Sequence, residues 1–271
     1  MSQSQSTSSQ SAKPLAKRFR DLFGKGRAEQ APAEPALEWS HSHLPREDED
    51  FRSIWDQCQP YTMTSFARGL ALFRAVRHIV QNRIQGDIVE CGVWRGGSIM
   101  IALATLRLLG ATDRRVWLFD TFEGMTEPGA VDVDNRGQSA SVLMETMPKD
   151  PGGIICYASL DEVKQNVARV GYPADLVTYV VGDIRQTIHD VAMNPVALLR
   201  LDTDWYDSTK LEMEKLYPHL VPGGVLIVDD YGHWAGSRQA VDEYFGAIQS
   251  AGGRAPMLTI VDYTGRMAVK S

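Results

Sequence analysis

This sequence predicts an α/β fold with a doubly wound, mainly parallel sheet, and three observations carry that prediction. First, short apolar runs at 87–91, 115–119, 177–182, 196–201 and 224–229 read as strands buried on both faces. Second, helical patterns at 97–109, 160–169, 208–218 and 237–250 fall between them, supplying the crossovers that parallel strands need. Third, the chain end breaks the rhythm. Pro256–Val261 and Arg266–Val269 flank Asp262-Tyr-Thr-Gly265, which reads as an antiparallel hairpin closing one edge.

The bulk composition sets the limits. A chain of 271 residues with 44% hydrophobic content supports one domain of ordinary size plus appendages. The formal charge of −6 excludes a general nucleic-acid footprint. Cys58, Cys91 and Cys156 form no close pair and no zinc-like spacing, which suits a reducing compartment, so a cytoplasmic location is expected. No apolar stretch approaches the roughly 20 residues of a membrane span, and no apolar core follows the start as in a signal peptide.

Residues 1–37 read as a tail and linker, and the globular domain is expected over 38–271. Residues 1–12 are rich in Ser and Gln, a composition that does not build a core. Residues 13–25 are basic, with Leu15, Phe19, Leu22 and Phe23 on one helical face. Three readings stay open there: a surface-docking helix, a solvated tail or, less favoured, a transit peptide. Residues 26–37 are an Ala/Pro/Glu-rich linker. Phe66, Leu70, Phe73, Val76 and Val80 then mark a helix over 65–83.

The first strand ends at Glu90 and runs into Gly92-Val-Trp-Arg-Gly-Gly97; the second ends at Asp120. A strand, glycine turn, helix, strand and acid is how α/β sheets hold an adenosine-type cofactor. The spacing is Glu-x-Gly-x-x-x-Gly-Gly, not the Gly-x-Gly-x-x-Gly that cradles a pyrophosphate. It favours S-adenosylmethionine, whose amino group needs a carboxylate and whose body needs close backbone approach. Glu90 and Gly92 are the candidates. With the edge hairpin, the layout is that of the class I methyltransferases.

Residues 121–158 contain Pro128, Gly137, Pro148, Pro151 and Gly152, and read as a long loop insertion that acts as a lid over the sheet edge. The later strands end at Gly182-Asp183, Asp202-Thr-Asp204 and Asp229-Asp230. If the 196–201 and 224–229 strands are neighbours, about 4.8 Å apart, then Asp202, Asp229 and Asp230 converge. Converging carboxylates are costly unless a cation joins them, and an all-oxygen set suits Mg²⁺. Lone strand-end acids also cap helices. Asp207 and Ser208 fit that role before the 208–218 helix, and Asp183 and Asp204 are open to it. His233 is open to packing or to proton acceptance. Trp205 and Trp234 offer a ligand platform.

Several segments together resemble one family: Tyr61-Thr-Met-Thr-Ser65, Glu90-Cys-Gly-Val-Trp-Arg-Gly-Gly-Ser98, Asp120-Thr-Phe-Glu-Gly-Met125, Gly182-Asp183, Leu201-Asp202-Thr-Asp-Trp-Tyr-Asp-Ser-Thr-Lys210 and Asp229-Asp-Tyr-Gly-His-Trp-Ala-Gly-Ser-Arg238. The chain is similar to the TylF/MycF/NovP type of Mg²⁺-dependent sugar O-methyltransferases over about residues 50–268. The resemblance implies a class I fold, S-adenosylmethionine as methyl donor and a carboxylate-held metal. It assigns Asp202, Asp229 and Asp230 to the metal and Asp202 to the proton acceptor. It assigns Met63, Glu90, Gly92, Ser98, Asp120 and Asp183 to the cofactor. The implied acceptor is a sugar or glycoside, and the implied assembly a homodimer or larger. A catechol- or phenol-type O-methyltransferase is the alternative, with Trp205, Tyr231 and Trp234 as an aromatic slot.

Overall fold

The computed structural model describes residues 46–146 and 156–271. They belong to one compact unit, Pro45–Ser271. The tail and linker expected over 1–37, with the basic segment 13–25, lie outside the described residues, as does 147–155 of the expected insertion.

Helices α1 (Arg46–Cys58) and α2 (Phe66–Gln81) precede the first strand, β1 (Asp87–Cys91). Then follow α3 (Gly97–Leu108), β2 (Val116–Asp120), α4 (Ala140–Thr146), α5 (Leu160–Ala168), β3 (Val177–Val181), α6 (Ile184–Thr187) and β4 (Val196–Leu201). The chain ends through α7 (Tyr206–Lys215), β5 (Leu220–Val228), α8 (Ala235–Ser250), β6 (Thr259–Ile260) and β7 (Arg266–Val269). The seven strands lie in the order β3-β2-β1-β4-β5-β7-β6. β1 to β5 are parallel, and β7 joins β5 and β6 antiparallel, as the terminal hairpin signal predicted. The chain order reverses beside β1, so the β1 and β4 ends form the switch point where open α/β sheets bind ligands.

Side-chain alternation splits the core into two layers. Ile88, Leu118, Leu198 and Ile227 face α1, α2, α3 and α5, where Phe51, Phe73, Ile99 and Val163 meet them. Val89, Phe119, Leu199 and Leu226 face the other way, against Met213 of α7 and Val241 and Phe245 of α8. Glu90 and Arg200 share the Ile88 face and are register partners across β1 and β4. That alternation carries two charges into an apolar layer.

Three local expectations change. The 121–158 segment is not a bare loop: Val133 bridges Ser139, and α4 follows. Asp207 and Ser208 do not cap the helix after β4. It starts at Tyr206 with Trp205 at the N-cap, and Asp132 from the insertion accepts from Tyr206 N instead. Finally, β5 starts at Leu220 rather than 224, because Leu220 already pairs with Val196 across a register shift.

Candidate functional site

A cleft of about 750 Å³ opens at the C-terminal ends of β1, β2, β4 and β5. One half is built by the glycine turn after β1. Gly92 has φ +79°, and a Cβ there would run into the Asp202 backbone carbonyl, so glycine lets the ends of β1 and β4 close together. Asp120, at the end of β2, pins the turn. One carboxylate oxygen accepts from Val93 N at 2.6 Å and Trp94 N at 3.1 Å, and the other accepts from Phe122 N at 2.7 Å. Gly97 begins α3, and a Cβ there would lie 2.6 Å from the Tyr61 carbonyl oxygen. The bare backbone therefore seats the 61–65 segment, with Met63, against the turn. Ser65 holds that segment from the far side. It accepts from Arg68 N as the α2 N-cap and donates to Asp262 Oδ2 at 2.6 Å.

The other half is acidic. Asp202, Asp204 and Asp230 bring one carboxylate oxygen each within 4.8 Å of one another. Asp204 reaches the group from the left-handed region, at φ +66°. Burial pushes the Asp204 carboxyl up to about 7. Burial also raises Asp202 and Asp230, with Arg200 opposing the shift at Asp202. Asp230 Oδ2 is buried and has no hydrogen-bond partner. This oxygen-only donor set, with an unpartnered oxygen, fits a hard divalent cation such as Mg²⁺.

Asp229 faces two arginines. Arg200 donates to its Oδ1 at 2.6 Å, and Arg68 of α2 donates to its Oδ2. Arg200, 3% exposed, also meets Glu90 Oε1 at 2.8 Å and Asp202 Oδ2 at 2.7 Å. One buried guanidinium thus joins three strand ends. Burial pushes the Glu90 carboxyl up to about 7 although Arg200 pulls it down.

The insertion roofs the cleft. Met125, Leu143 and Met144 pack on Trp205 and Trp234, whose rings meet edge to face at 4.9 Å. Asp134, Asn135, Arg136 and Gln138 line the cleft from the roof, and Tyr263 and Thr264 from the β6–β7 turn line another wall. His233 also lines it. Burial lowers its proton affinity, and its Nδ1 lies 3.3 Å from the Tyr263 hydroxyl.

Of the residues expected from sequence, Met63, Gly92, Ser98, Asp120, Asp202, Asp229 and Asp230 all line this cleft. Glu90 and Asp183 do not appear in its walls. Glu90 is 2% exposed behind Arg200. Asp183 caps α6 through Arg185 N and pairs with the Arg185 side chain at 2.6 Å. Trp205 is buried under Trp234, and Tyr231 turns to Asp242 of α8, so only Trp234 of the expected aromatic slot reaches the cleft. Sequence reasoning missed Asp204 as a member of the acidic group, and missed Arg68 and Arg200. Arg200 did leave a signal, since a charge inside Val-Ala-Leu-Leu-Arg-Leu must be buried and paired.

A family profile described as macrocin-O-methyltransferase (TylF) matches residues 18–267. A Streptomyces olivaceus protein, described as 8-demethyl-8-(2,3-dimethoxy-alpha-L-rhamnosyl)-tetracenomycin-C 4'-O-methyltransferase, is 38% identical over 186 residues. The match spans 69% of this chain and 68% of that protein. The mycinamicin III 3''-O-methyltransferase of Micromonospora griseorubida is 33% identical over 184 residues, or 68% of this chain and 70% of its own. The solved structure of the O-methyltransferase NovP superposes with a TM-score of 0.67 at 29% identity, covering 78% of this chain and 82% of that one.

Proposed function

This chain belongs to the macrocin-O-methyltransferase (TylF) family and is an S-adenosylmethionine-dependent O-methyltransferase, and from that premise we propose that it methylates a sugar hydroxyl on a glycosylated natural product with the help of Mg²⁺. The carrying observation is that the glycine turn and the Asp202–Asp204–Asp230 group open on the same cleft. The descriptions of both relatives support the acceptor class.

Methyl transfer is an in-line displacement, so orientation of the acceptor oxygen is the protein's main task. S-adenosylmethionine supplies the electrophilic methyl group, and Mg²⁺ supplies Lewis acidity that favours a deprotonated hydroxyl. On this reading Met63, Gly92, Ser98 and Asp120 bind the cofactor along the turn. Glu90 and Asp183, also expected as cofactor contacts, have carboxylates committed to Arg200 and Arg185. Asp202 and Asp230 hold the metal. Asp204 is the third carboxylate within reach, and Asp229 supports the group from its seat between Arg68 and Arg200.

Asp202 takes the acceptor proton at a carboxylate oxygen. The roof residues Asn135, Arg136 and Gln138 read the rest of the acceptor, and the insertion excludes water.

The phenol alternative is the weaker reading, because Trp205 and Tyr231 stand outside the cleft walls. A homo-oligomer follows from the family resemblance. A cytoplasmic location rests on the cysteine spacing of the sequence, which offers no close pair and no zinc-like set. Among the described residues no helix is long and apolar enough to cross a membrane.

The test is transfer of labelled methyl to a panel of hexosides with neighbouring hydroxyls, set beside simple catechols, with Mg²⁺ or with a chelator. Labelled glycoside that disappears with the chelator is the expected result. Label on catechols alone would move the function to the alternative.

A further inference from the structure

Asp132 and its neighbour Val133 tie the roof of the cleft to the two helices that follow the acidic strand ends. Asp132 lies in the insertion and is 1% exposed. Its Oδ1 accepts from Tyr206 N, the first residue of α7, at 2.8 Å. Its Oδ2 accepts from Gly129 N at 2.7 Å, and its backbone carbonyl accepts from Ala140 N at 2.9 Å, where α4 begins. On the other side it abuts Gly236 in the first turn of α8, where an added Cβ would collide with Oδ1. The neighbouring Val133 carbonyl accepts from Ala235 N at 2.9 Å, and Trp205 Nε1 donates to the Thr126 carbonyl at 2.9 Å.

Those attachment points are not arbitrary. α7 follows directly on Asp202-Thr-Asp204, and α8 follows on Asp229-Asp230 by a short turn. The roof residues Asp134, Asn135, Arg136 and Gln138 begin two residues after Asp132. The Asp132 carboxylate, with the Val133 carbonyl beside it, therefore fixes the distance between the roof and the acids that flank the reacting hydroxyl. A buried carboxylate satisfied by backbone N–H groups is a stiff joint, because each bond is charge-assisted and water does not compete for it. Because the roof reads the part of the acceptor away from the reacting hydroxyl, a loosened roof weakens acceptor binding more than the chemical step.

We propose that Asp132 is a positioning residue for the acceptor, a latch that makes the roof and the two acidic strand ends move as one body. This rests on the reading of the cleft as an acceptor site. The cofactor side, built from the 61–65 segment and the turn after β1, has no bond to Asp132, so the latch acts on one substrate and not on the other.

The experiment compares wild type with Asp132→Asn and Gly236→Ala. The first removes an acceptor oxygen, and the second pushes the latch aside while leaving its charge in place. Three quantities are read: S-adenosylhomocysteine affinity by calorimetry, steady-state constants with methyl α-L-rhamnopyranoside, and amide exchange at Gly129, Ala140, Tyr206 and Ala235. We expect S-adenosylhomocysteine affinity to hold within about twofold, acceptor KM to rise about 10-fold or more with kcat changed less, and the four amides to exchange faster in both variants. Equal loss of cofactor affinity and acceptor KM, or unchanged amide exchange, would overturn the latch. If wild type does not methylate the rhamnoside, that counts against the acceptor class. Amide exchange then decides the latch: acceleration confined to these four sites supports it, and no acceleration removes it.

Discussion

Glu90 and Arg200 face each other as register partners on β1 and β4 and form a buried ion pair of 2.8 Å. The same guanidinium reaches Asp202 and Asp229. Burying charge is costly, and a pair that loses one partner leaves the other uncompensated. Arg200→Met is therefore expected to cost about 3–5 kcal/mol of stability. Glu90→Gln removes only one of three carboxylates around Arg200, so a loss of about 1–3 kcal/mol is expected, with S-adenosylhomocysteine affinity nearly unchanged. Urea denaturation and calorimetry on both variants check this. A large loss of cofactor affinity with intact stability would place Glu90 on the cofactor instead.

Asp202→Asn is expected to lower kcat by roughly 10²–10⁴-fold, the usual contribution of a positioned proton acceptor. S-adenosylhomocysteine affinity should change little, because the turn after β1 is untouched. Single-turnover methyl transfer measures the chemical step directly. An Asp202→Asn enzyme with wild-type turnover would pass the proton acceptor role to His233, which lines the same cleft.

Asp204 and Asp229 are expected to behave differently although both are strand-end acids. Asp204 stands with Asp202 and Asp230, whereas Asp229 is held by Arg68 and Arg200. Asp204→Asn should weaken Mg²⁺ binding with little loss of stability. Asp229→Asn should lower the melting temperature more than Asp204→Asn does. The reverse ranking would return Asp229 to the inner ligand set.

Glu212 of α7 is fully buried, and burial pushes its carboxyl up to about 8, against the hydrogen bond donated by Thr203 at 2.9 Å. The folded protein therefore keeps a proton there that the unfolded chain gives up near its ordinary value of 4.5. The stability from this site is complete below that value and falls as pH rises through about 8. Glu212→Gln should flatten the fall over that window, as read by urea denaturation at a series of pH values. An unchanged slope would mean that Glu212 is ionised in the fold.

The architecture was legible because it is written in local periodicity. Apolar runs ending in Glu90, Asp120 and Asp202 marked parallel strands, and Asp262-Tyr-Thr-Gly265 marked the hairpin. The glycine turn was legible because close backbone approach leaves glycine little substitute. What stayed hidden depends on contacts between distant segments. Nothing near Asp132 announces that it will meet Tyr206 and Gly236 from more than 70 residues away. Asp204 looked like a helix cap because its left-handed backbone, which turns its carboxylate toward Asp230, has no signature in the neighbouring residues. Arg68 has no signal in the sequence around it, because its role arises only where α2 packs beside β5.

The most direct test of the account is calorimetric titration of Mg²⁺ into the S-adenosylhomocysteine-bound chain, wild type beside an Asp202→Asn/Asp230→Asn double variant. The account predicts that both bind S-adenosylhomocysteine and that only the wild type binds the cation. Equal cation binding by the two proteins, or no S-adenosylhomocysteine binding by the wild type, would contradict it.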